Sequence, residues 1–173
     1  MITDLVPDLK WILMFTLDDH RYGVGLSAVE RVVQAVEITL LPKAPEAILG
    51  VINVHGLVVP VVDIRWRLGL PRREVAVDDL FILAHTARQL VALAVDTVDG
   101  AHHLPDNALV TAEEITAGTQ FIHGLAKIGE DLILICDLDQ FLALDDVEKL
   151  AQVLPIMPLP SAPDMHLQTP ETM

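Results

Sequence analysis

The residues best suited to chemistry in this chain are two adjacent histidines and two nearby carboxylates. Asp96 and Asp99 precede His102 and His103, and imidazole with carboxylate suits borderline divalent metal ions. Neighbouring residues on a β-strand point to opposite faces, so both histidines cannot easily reach one ion. Two carboxylates at this spacing also give no acid–base geometry without a pocket. We therefore expect no metal site here and interpret both aspartates as turn residues.

Motifs for nucleophilic catalysis and nucleotide binding are incomplete. Ser27 has no neighbouring His or Asp in a nucleophile pattern, and the sequence contains no G-x-S-x-G. Segment 23–25, Gly-Val-Gly, lacks the third glycine and the helix of a dinucleotide fingerprint. Cys136 is the single cysteine and lies in the apolar run 132–138, so it can build neither a disulfide framework nor a thiolate cage. We expect no catalytic residue, no cofactor and no metal ligand, and a buried Cys136.

Composition and charge narrow the class of protein further. The chain has 173 residues, is 52% hydrophobic and carries a net charge of −14. This charge repels phosphate backbones, so we expect no nucleic-acid binding and a basic or apolar partner surface instead. No apolar run approaches the roughly 18 to 20 residues of a membrane span, and the start of the chain, with Asp4 and Asp8, does not resemble a secretory signal. The expected location is cytoplasmic, without direct membrane insertion.

The stretch from Ile48 to Pro71 contains the clearest structural signal. Two β-branched runs, 51–54 and 57–64, flank His55-Gly56, and a glycine at a tight reversal supplies the positive φ that other residues resist. The pattern predicts a β-hairpin. Pro60 has no amide hydrogen, so we expect it at a sheet edge or beside a bulge.

Three polar patterns predict short helical turns. Asp63 is an N-cap candidate for a turn through Leu68, which Gly69 would end. Segment 111–114, Thr-Ala-Glu-Glu, matches a capping box, and Asp145-Asp146 would cap a last short helix to residue 150.

Within the first of these turns, Arg65, Trp66 and Arg67 allow two interpretations. They form a cationic and aromatic contact point for a partner, or Trp66 covers the core while the arginines are solvated.

Apolar runs separated by turn residues predict strands in most of the remaining chain. Segment 27–30, Ser-Ala-Val-Glu, fits either a very short capped helix or a return to strand. Short strands about every ten residues favour small barrels or a sandwich, and a mainly β fold. The predicted strands are Trp11–Leu17, 24–26, 38–41, 80–84, 90–95, 121–128 and 132–138, with turns at 19–23, 46–50, 85–89, 96–100 and 129–131.

Two polar stretches mark possible boundaries. Segment 72–79 is a charged connection between two apolar blocks and is the best internal boundary. From Pro155 onward the chain holds five of its eleven prolines, so we expect an extended or disordered tail.

In order and spacing, a series of strand and turn motifs resembles the CheW family of bacterial chemotaxis coupling proteins over about residues 12–150. Each motif alone is common in strands and turns, and it is their order and spacing that are specific. The motifs are Phe15-Thr-Leu, Tyr22-Gly23, Ile48-Leu-Gly-Val-Ile-Asn53, Gly56, Val59-Pro-Val-Val-Asp63, Leu68-Gly69, Val95-Asp96 with Val98, Gly124, Leu132-Ile and Asp137-Leu138.

The resemblance implies a fold and a non-catalytic function. The fold would be two packed five-stranded Src-homology-type barrels with a few short helices. An N-terminal extension would cover 1–10, the CheW-like domain 11–150 with its internal boundary near 72–79, and the tail 151–173. Family members bridge the cytoplasmic tips of methyl-accepting chemoreceptors and the regulatory domain of the histidine kinase CheA, at membrane-associated receptor arrays.

The resemblance also implies a partner-binding surface, and this chain departs from the family pattern there. An arginine usually precedes the glycine of the central turn where this chain has His55, and an acidic residue usually stands where it has Arg31. If the two positions face each other, an acid–base pair has become two potential cations. That favours, as an alternative, a divergent paralogue serving a type IV pilus or another non-flagellar pathway. The expected partner-binding residues are Val29, Glu30, Arg31, Asn53, His55 and Gly56.

Overall fold

The computed structural model describes residues 9–111 and 122–141, and these residues form a mainly β fold, as predicted. The strands in this part of the chain are β1 (Trp11–Leu17), β2 (His20–Gly25), β3 (Val29–Gln34), β4 (Ile48–Val54), β5 (Leu57–Val62), β6 (Leu80–His85), β7 (Leu90–Val95), β8 (Thr97–His103), β9 (Leu109–Thr111), β10 (Ile122–Ile128) and β11 (Asp131–Cys136). Single helical turns are α1 (Ile64–Arg67), α2 (Leu138–Phe141) and the 3-10 turn Leu26–Ala28.

The described strands form two sheets. Sheet A has six strands in the order β8-β1-β2-β11-β10-β9, and sheet B has five in the order β3-β6-β7-β5-β4. Neighbouring strands pair antiparallel except β2 with β11 and β5 with β7, which pair parallel. Two five-stranded barrels were expected, and the two sheets correspond to them except that sheet A has six strands rather than five. Segment 96–100, predicted as a turn, mostly belongs to β8, which pairs along β1.

The polar connection 72–79 does not separate the two sheets. It follows α1 and leads into β6, and the strands on either side of it, β5 and β6, both belong to sheet B. The chain instead crosses between sheets at Leu26–Ala28 and again at Asp96. A polar stretch indicates solvent exposure locally, whereas the sheet that a strand joins is decided by long-range pairing. The tail, the patterns at 112–114 and 145–150, and residues 1–8 lie outside the described residues.

The core explains why several strands are apolar on both faces. Leu13 and Phe15 on β1 belong to a core shared by both sheets, while Ile12 and Met14 face a second core inside sheet A. On β6, Ile82 enters the shared core and its neighbours face a third core inside sheet B. Each of these strands is therefore covered on both sides, as predicted for Trp11–Leu17.

The central hairpin is confirmed. β4 and β5 pair antiparallel across His55-Gly56, where both residues have positive φ, 52° and 87°. Positive φ at both positions is the geometry of a type I′ turn, whose twist matches that of the strands. The Asn53 side-chain oxygen accepts a 2.7 Å hydrogen bond from the Gly56 amide. The hairpins predicted across 85–89 and 129–131 are confirmed as β6–β7 and β10–β11.

Pro60 lies in an interior strand, beside a bulge. β5 is flanked by β4 and β7, so the edge position is wrong, but the register shift between Ile48 and Gly50 lies opposite the residues that follow Pro60. Val51, which lies opposite Pro60, exchanges its backbone hydrogen bonds with Thr39 instead. On the other side, the pairing of β5 with β7 begins only at Val61. The missing amide hydrogen therefore costs no ladder hydrogen bond.

Three local predictions are wrong. The first turn is formed by Asp18 and Asp19, with φ of 51° and 69°, and not by 19–23. Gly23 instead lies within β2, where a Cβ would come within 3.0 Å of the Ile12 side chain. Segment 38–41 forms no strand and contributes only a bridge at Thr39. Segment 46–50 is mostly strand, because β4 begins at Ile48.

Segment 27–30 returns to strand rather than opening a capped helix. The 3-10 turn has no side-chain cap hydrogen bond, and β3 begins at Val29. The helical turn α1 is confirmed, because the Asp63 side chain accepts a hydrogen bond from the Trp66 amide and Gly69 follows with φ of 76°.

Candidate functional site

Three of the expected partner-binding residues lie together at the start of β3. Val29 is half-buried against the shared core, whereas Glu30 and Arg31 are exposed. The pairing with β6 shifts register between Val29 and Arg31, so Glu30 is a bulged residue. Its carboxylate lies 2.8 Å from His85 Nε2. We call Val29, Glu30 and Arg31 the β3 face. The contact with His85 joins residues 55 positions apart, so no local pattern predicts it.

The other three expected residues lie at the β4–β5 turn. Asn53, His55 and Gly56 are exposed, and Asn53 is bonded to the amide of Gly56. A Cβ at Gly56 would meet no atom within 4 Å. The turn is therefore a free surface whose shape is set by backbone geometry rather than by packing.

The β3 face and the β4–β5 turn do not contact each other through polar groups. In the order of sheet B, β3 and β4 stand at opposite ends. Within residues 9–111 and 122–141, no hydrogen bond or ion pair joins Arg31 to His55. The structure gives no support to a facing pair of cations at these two positions.

An apolar groove lies between segments 35–40 and 73–77, and it was missed in the sequence. Its volume is about 590 Å3, and its walls include Val77 and Leu40, which are 80% and 76% exposed. Exposed apolar side chains gathered in one groove, rather than scattered singly, mark an interaction site. The sequence predicted a strand at 38–41 in one wall and a boundary at 72–79 across the other, because nothing local indicates that the two segments meet.

Two carboxylates accompany the apolar lining of the groove. Glu37 and Glu74 both line it and both are exposed. The cation in the lining, Arg73, is already paired with Asp79 and Asp96. The groove therefore combines an apolar floor with net negative charge, which suits an apolar partner surface that carries Lys or Arg.

A cluster of five charged side chains ties the two sheets together beside this groove. We call Asp18, Arg65, Arg73, Asp79 and Asp96 the Arg65 cluster. Arg65 is only 7% exposed and donates to Asp96 at 2.7 and 2.9 Å and to Asp18 at 2.9 Å. Arg73 donates to Asp79 at 2.8 and 3.0 Å and to Asp96 at 2.5 Å.

Hydrogen bonds outweigh burial in the electrostatics of this cluster. Burial opposes the charge of Arg65, but hydrogen bonds to Asp96 and Asp18 raise its pKa above the usual value. Burial alone would likewise raise the pKa of Asp96, yet the amide of Asp18 and the two guanidinium groups lower it. Asp96 does lie at a bend, between β7 and β8, but it is also an ionised anchor, a role that the prediction of a turn residue did not include.

Trp66 stands on the surface next to this cluster and is 37% exposed. The guanidinium carbons of Arg67 and Arg72 lie 5.1 and 5.5 Å from its ring centroid, within cation–π range. Neither sequence interpretation describes this turn fully, since Arg65 is buried in ion pairs while Trp66 remains accessible.

The groups first considered for chemistry are dispersed. His102 and His103 lie opposite Ile12 and Trp11 in successive β-pairs, and the His103 ring makes an edge contact with Trp11 at 5.2 Å. Among the residues described, no three His, Cys, Asp or Glu side chains are grouped so that they could hold a metal ion. Cys136 is buried, and desolvation raises the pKa of its thiol, so the reactive thiolate is disfavoured.

In the described ranges, no helix has the length and apolar character needed to cross a bilayer.

Comparison with known proteins gives one consistent result. The family model of the CheW-like domain matches residues 12–146. The chemotaxis protein CheW of Rhizobium meliloti (strain 1021) is 29% identical over 139 residues, which cover 79% of this chain and 90% of that protein. The chemotaxis protein CheW of Klebsiella aerogenes is 25% identical over 137 residues, covering 78% and 82%. The crystal structure of the scaffolding protein TtCheW from Thermoanaerobacter tengcongensis superposes with a TM-score of 0.72 at 31% identity, covering 79% of this chain and 94% of that one.

Proposed function

The chain belongs to the CheW-like domain family, and from that premise we propose that it is a non-catalytic adaptor linking methyl-accepting chemoreceptors to a CheA-type histidine kinase. The match to the family over residues 12–146 carries this conclusion. The predicted family and the adaptor role in chemotaxis-type signal transduction are confirmed by the similar proteins. An adaptor works by binding alone, and the largest group of charged side chains described here, around Arg65 and Arg73, is arranged in ion pairs rather than around a reactive group.

The apolar groove is the surface we assign to the regulatory domain of the kinase. Val77 and Leu40 would be covered by an apolar patch of that domain. Glu37 and Glu74 favour Lys or Arg at its margin, and such charges raise the rate of encounter more than the final affinity.

The β3 face and the β4–β5 turn are the surfaces we assign to the receptor tip. The polar side chains of the β3 face lie beside the half-buried Val29, which gives a small apolar centre with a charged rim. The receptor would bring the adaptor to membrane-associated arrays from the cytoplasmic side, without insertion of this chain into the bilayer.

Binding of the purified chain to each partner tests the proposal. Isothermal titration should detect association with the kinase regulatory domain and, separately, with receptor tips. Leu40→Asp and Val77→Asp place charge in the groove and should weaken kinase binding at least tenfold. Leu132→Asp is the matched control, because Leu132 is 59% exposed on β11, away from the groove. Failure of the unmodified chain to bind either partner would contradict the proposal.

A second candidate function is the same adaptor role in a pilus or other non-flagellar pathway. The observation that favours it is the presence of Arg31 and His55 on the two surfaces assigned to the receptor. The double change Arg31→Glu with His55→Arg should increase binding to the general chemotaxis receptor if these residues changed the partner. Arg88→Glu with His20→Arg makes the same chemical changes at other exposed positions and should leave binding unaltered. Unaltered binding in both double variants would argue against a partner switch here.

A further inference from the structure

We propose that Arg65 and Asp96 are positioning residues that hold one wall of the apolar groove ready for its partner. The inference rests on the proposed function for the groove as the kinase-binding surface. It concerns residues that do not line the groove themselves but reach its wall through Arg73.

The groove wall at 73–77 is a connection with no strand or helix of its own. Apart from Val75, all of its residues are exposed. A loop of this kind has few apolar contacts to hold it and opens readily unless polar bonds fix it. The bonds that hold it are therefore the feature that decides whether the groove exists before the partner arrives.

Asp79 supplies the inner set of bonds. Its buried carboxylate accepts a 2.7 Å hydrogen bond from the Ala76 amide. It also accepts hydrogen bonds from both terminal nitrogens of the Arg73 guanidinium. The Asp79 carbonyl accepts the amide of Ala35, at the start of the opposite wall, at 3.0 Å. One residue thus closes the loop on itself and joins the two walls.

Asp96 and Arg65 supply the outer set. Arg73 donates a second bond to Asp96, and Asp96 is itself fixed by Arg65, by the Asp18 amide at 2.9 Å and through its own amide to Thr16 at 3.1 Å. Arg65 also donates to the carbonyl of Pro71 at 3.3 Å, just before the loop begins. The loop is therefore anchored to the crossing point between the two sheets.

Charge balance explains why removal of Arg65 would reach the groove. The cluster holds three carboxylates against two guanidinium groups. If the guanidinium group of Arg65 is lost, Arg73 is the remaining cation of the cluster. The carboxylates of Asp18 and Asp96 would then draw Arg73 away from Asp79. The loop would lose its inner bonds although none of its own residues had changed.

Amide hydrogen exchange in the full-length chain tests this without any partner. Arg65→Lys keeps the charge but loses the planar fork, and Asp96→Asn keeps the shape but loses the charge. In Arg65→Lys the carboxylates of Asp18 and Asp96 should draw Arg73 from Asp79, whereas in Asp96→Asn Arg73 should lose its outer anchor. In both variants the amides of Ala76 and Asp79 should therefore exchange at least tenfold faster. The amide of Ala126 on β10 should not change. Arg21→Lys and Asp131→Asn are matched controls, since they alter an exposed ion pair of 2.6 Å elsewhere on the molecule.

Titration with the kinase regulatory domain completes the test. The affinity should fall about tenfold in Arg65→Lys and Asp96→Asn, while binding to receptor tips stays unchanged. Arg73→Lys breaks the same connection from the loop side and should reproduce both effects if one of the other variants fails to fold. Unchanged exchange at Ala76 and Asp79 in a folded variant would overturn the inference, as would faster exchange with undiminished kinase affinity. Failure of the unmodified chain to bind the kinase would instead refute the proposed function.

Discussion

Arg65 and Asp96 are joined by two hydrogen bonds, of 2.7 and 2.9 Å, although they are 31 residues apart in the chain. Arg65 follows β5 of sheet B, and Asp96 stands where the chain leaves β7 of sheet B for β8 of sheet A. The Asp96 carboxylate also accepts the amide of Asp18, in the β1–β2 turn. The pair therefore connects the two sheets at the edge of their shared core.

Arg65→Ala should lower the free energy of unfolding by about 3 kcal/mol, because it leaves partly buried carboxylates without their main cation. Arg21→Ala should cost less than about 1 kcal/mol, since its partner Asp131 is solvent-exposed. Urea denaturation of the two variants beside the unmodified chain measures both values. Equal costs for the two substitutions would contradict the assignment of Arg65 as a structural anchor.

The sequence predicted those features whose causes are local. The turn at His55-Gly56 and the cap at Asp63 each depend on residues within a few positions, and both are present. Gly23 indicated a turn by the same local rule, but its actual role is to admit the side chains of Ile12 and Ile135 from neighbouring strands. That packing is invisible until the strands are paired.

The Arg65 cluster and the apolar groove could not be predicted for the same reason. Arg65 bonds partners 31 and 47 residues away, and a lone arginine in a short helical turn resembles a solvated one. The groove needs segments 35–40 and 73–77 to lie side by side, which follows from β3 pairing with β6. The expected partner-binding residues on β3 and the β4–β5 turn remain predictions that binding experiments must test.

The Asp96 carboxyl should contribute a pH-dependent part of the stability. Its pKa is lower in the folded chain than the ordinary value of about 4. The contribution is therefore complete above pH of about 5 and is lost as the pH falls through the folded pKa. Asp96→Asn should be clearly less stable than the unmodified chain at pH 7, and the difference should shrink on acidification to about pH 3.

Thermal melts between pH 7 and 3 measure that difference. Gly56→Ala provides the control, because it destabilises the chain without changing an ionisable group. The lowering of its melting temperature should therefore not depend on pH. A constant deficit for Asp96→Asn across the same range would show that the carboxyl charge is not what stabilises the fold.

Gly56→Val should lower the free energy of unfolding by about 1 to 3 kcal/mol, the usual cost of a strained backbone conformation. The φ of 87° is unfavourable for a β-branched residue, whereas no atom within 4 Å would clash with an added Cβ. Gly56→Asn should recover much of the loss, because Asn tolerates positive φ better than other residues. Equal stabilities of the Val and Asn variants, measured by urea denaturation, would show that backbone strain is not the cause.

Gly50→Ala should be more damaging than Gly56→Ala, because steric overlap adds to backbone strain. Gly50 has φ of 154°, and an added Cβ would lie next to the carbonyl oxygen of Thr39 and within 2.6 Å of the Ile38 side chain. That contact is where segment 35–40 crosses β4, through the bridge between Thr39 and Val51. The methyl group must therefore displace the backbone of a groove wall, at a cost of at least about 2 kcal/mol by analogy with overpacked cores.

Urea denaturation of Gly50→Ala gives the cost. Hydrogen exchange of the Thr39 amide, which is bonded to Val51 at 2.8 Å, reports whether the wall has moved. A stable Gly50→Ala variant with a protected Thr39 amide would mean that this wall yields more easily than its packing indicates.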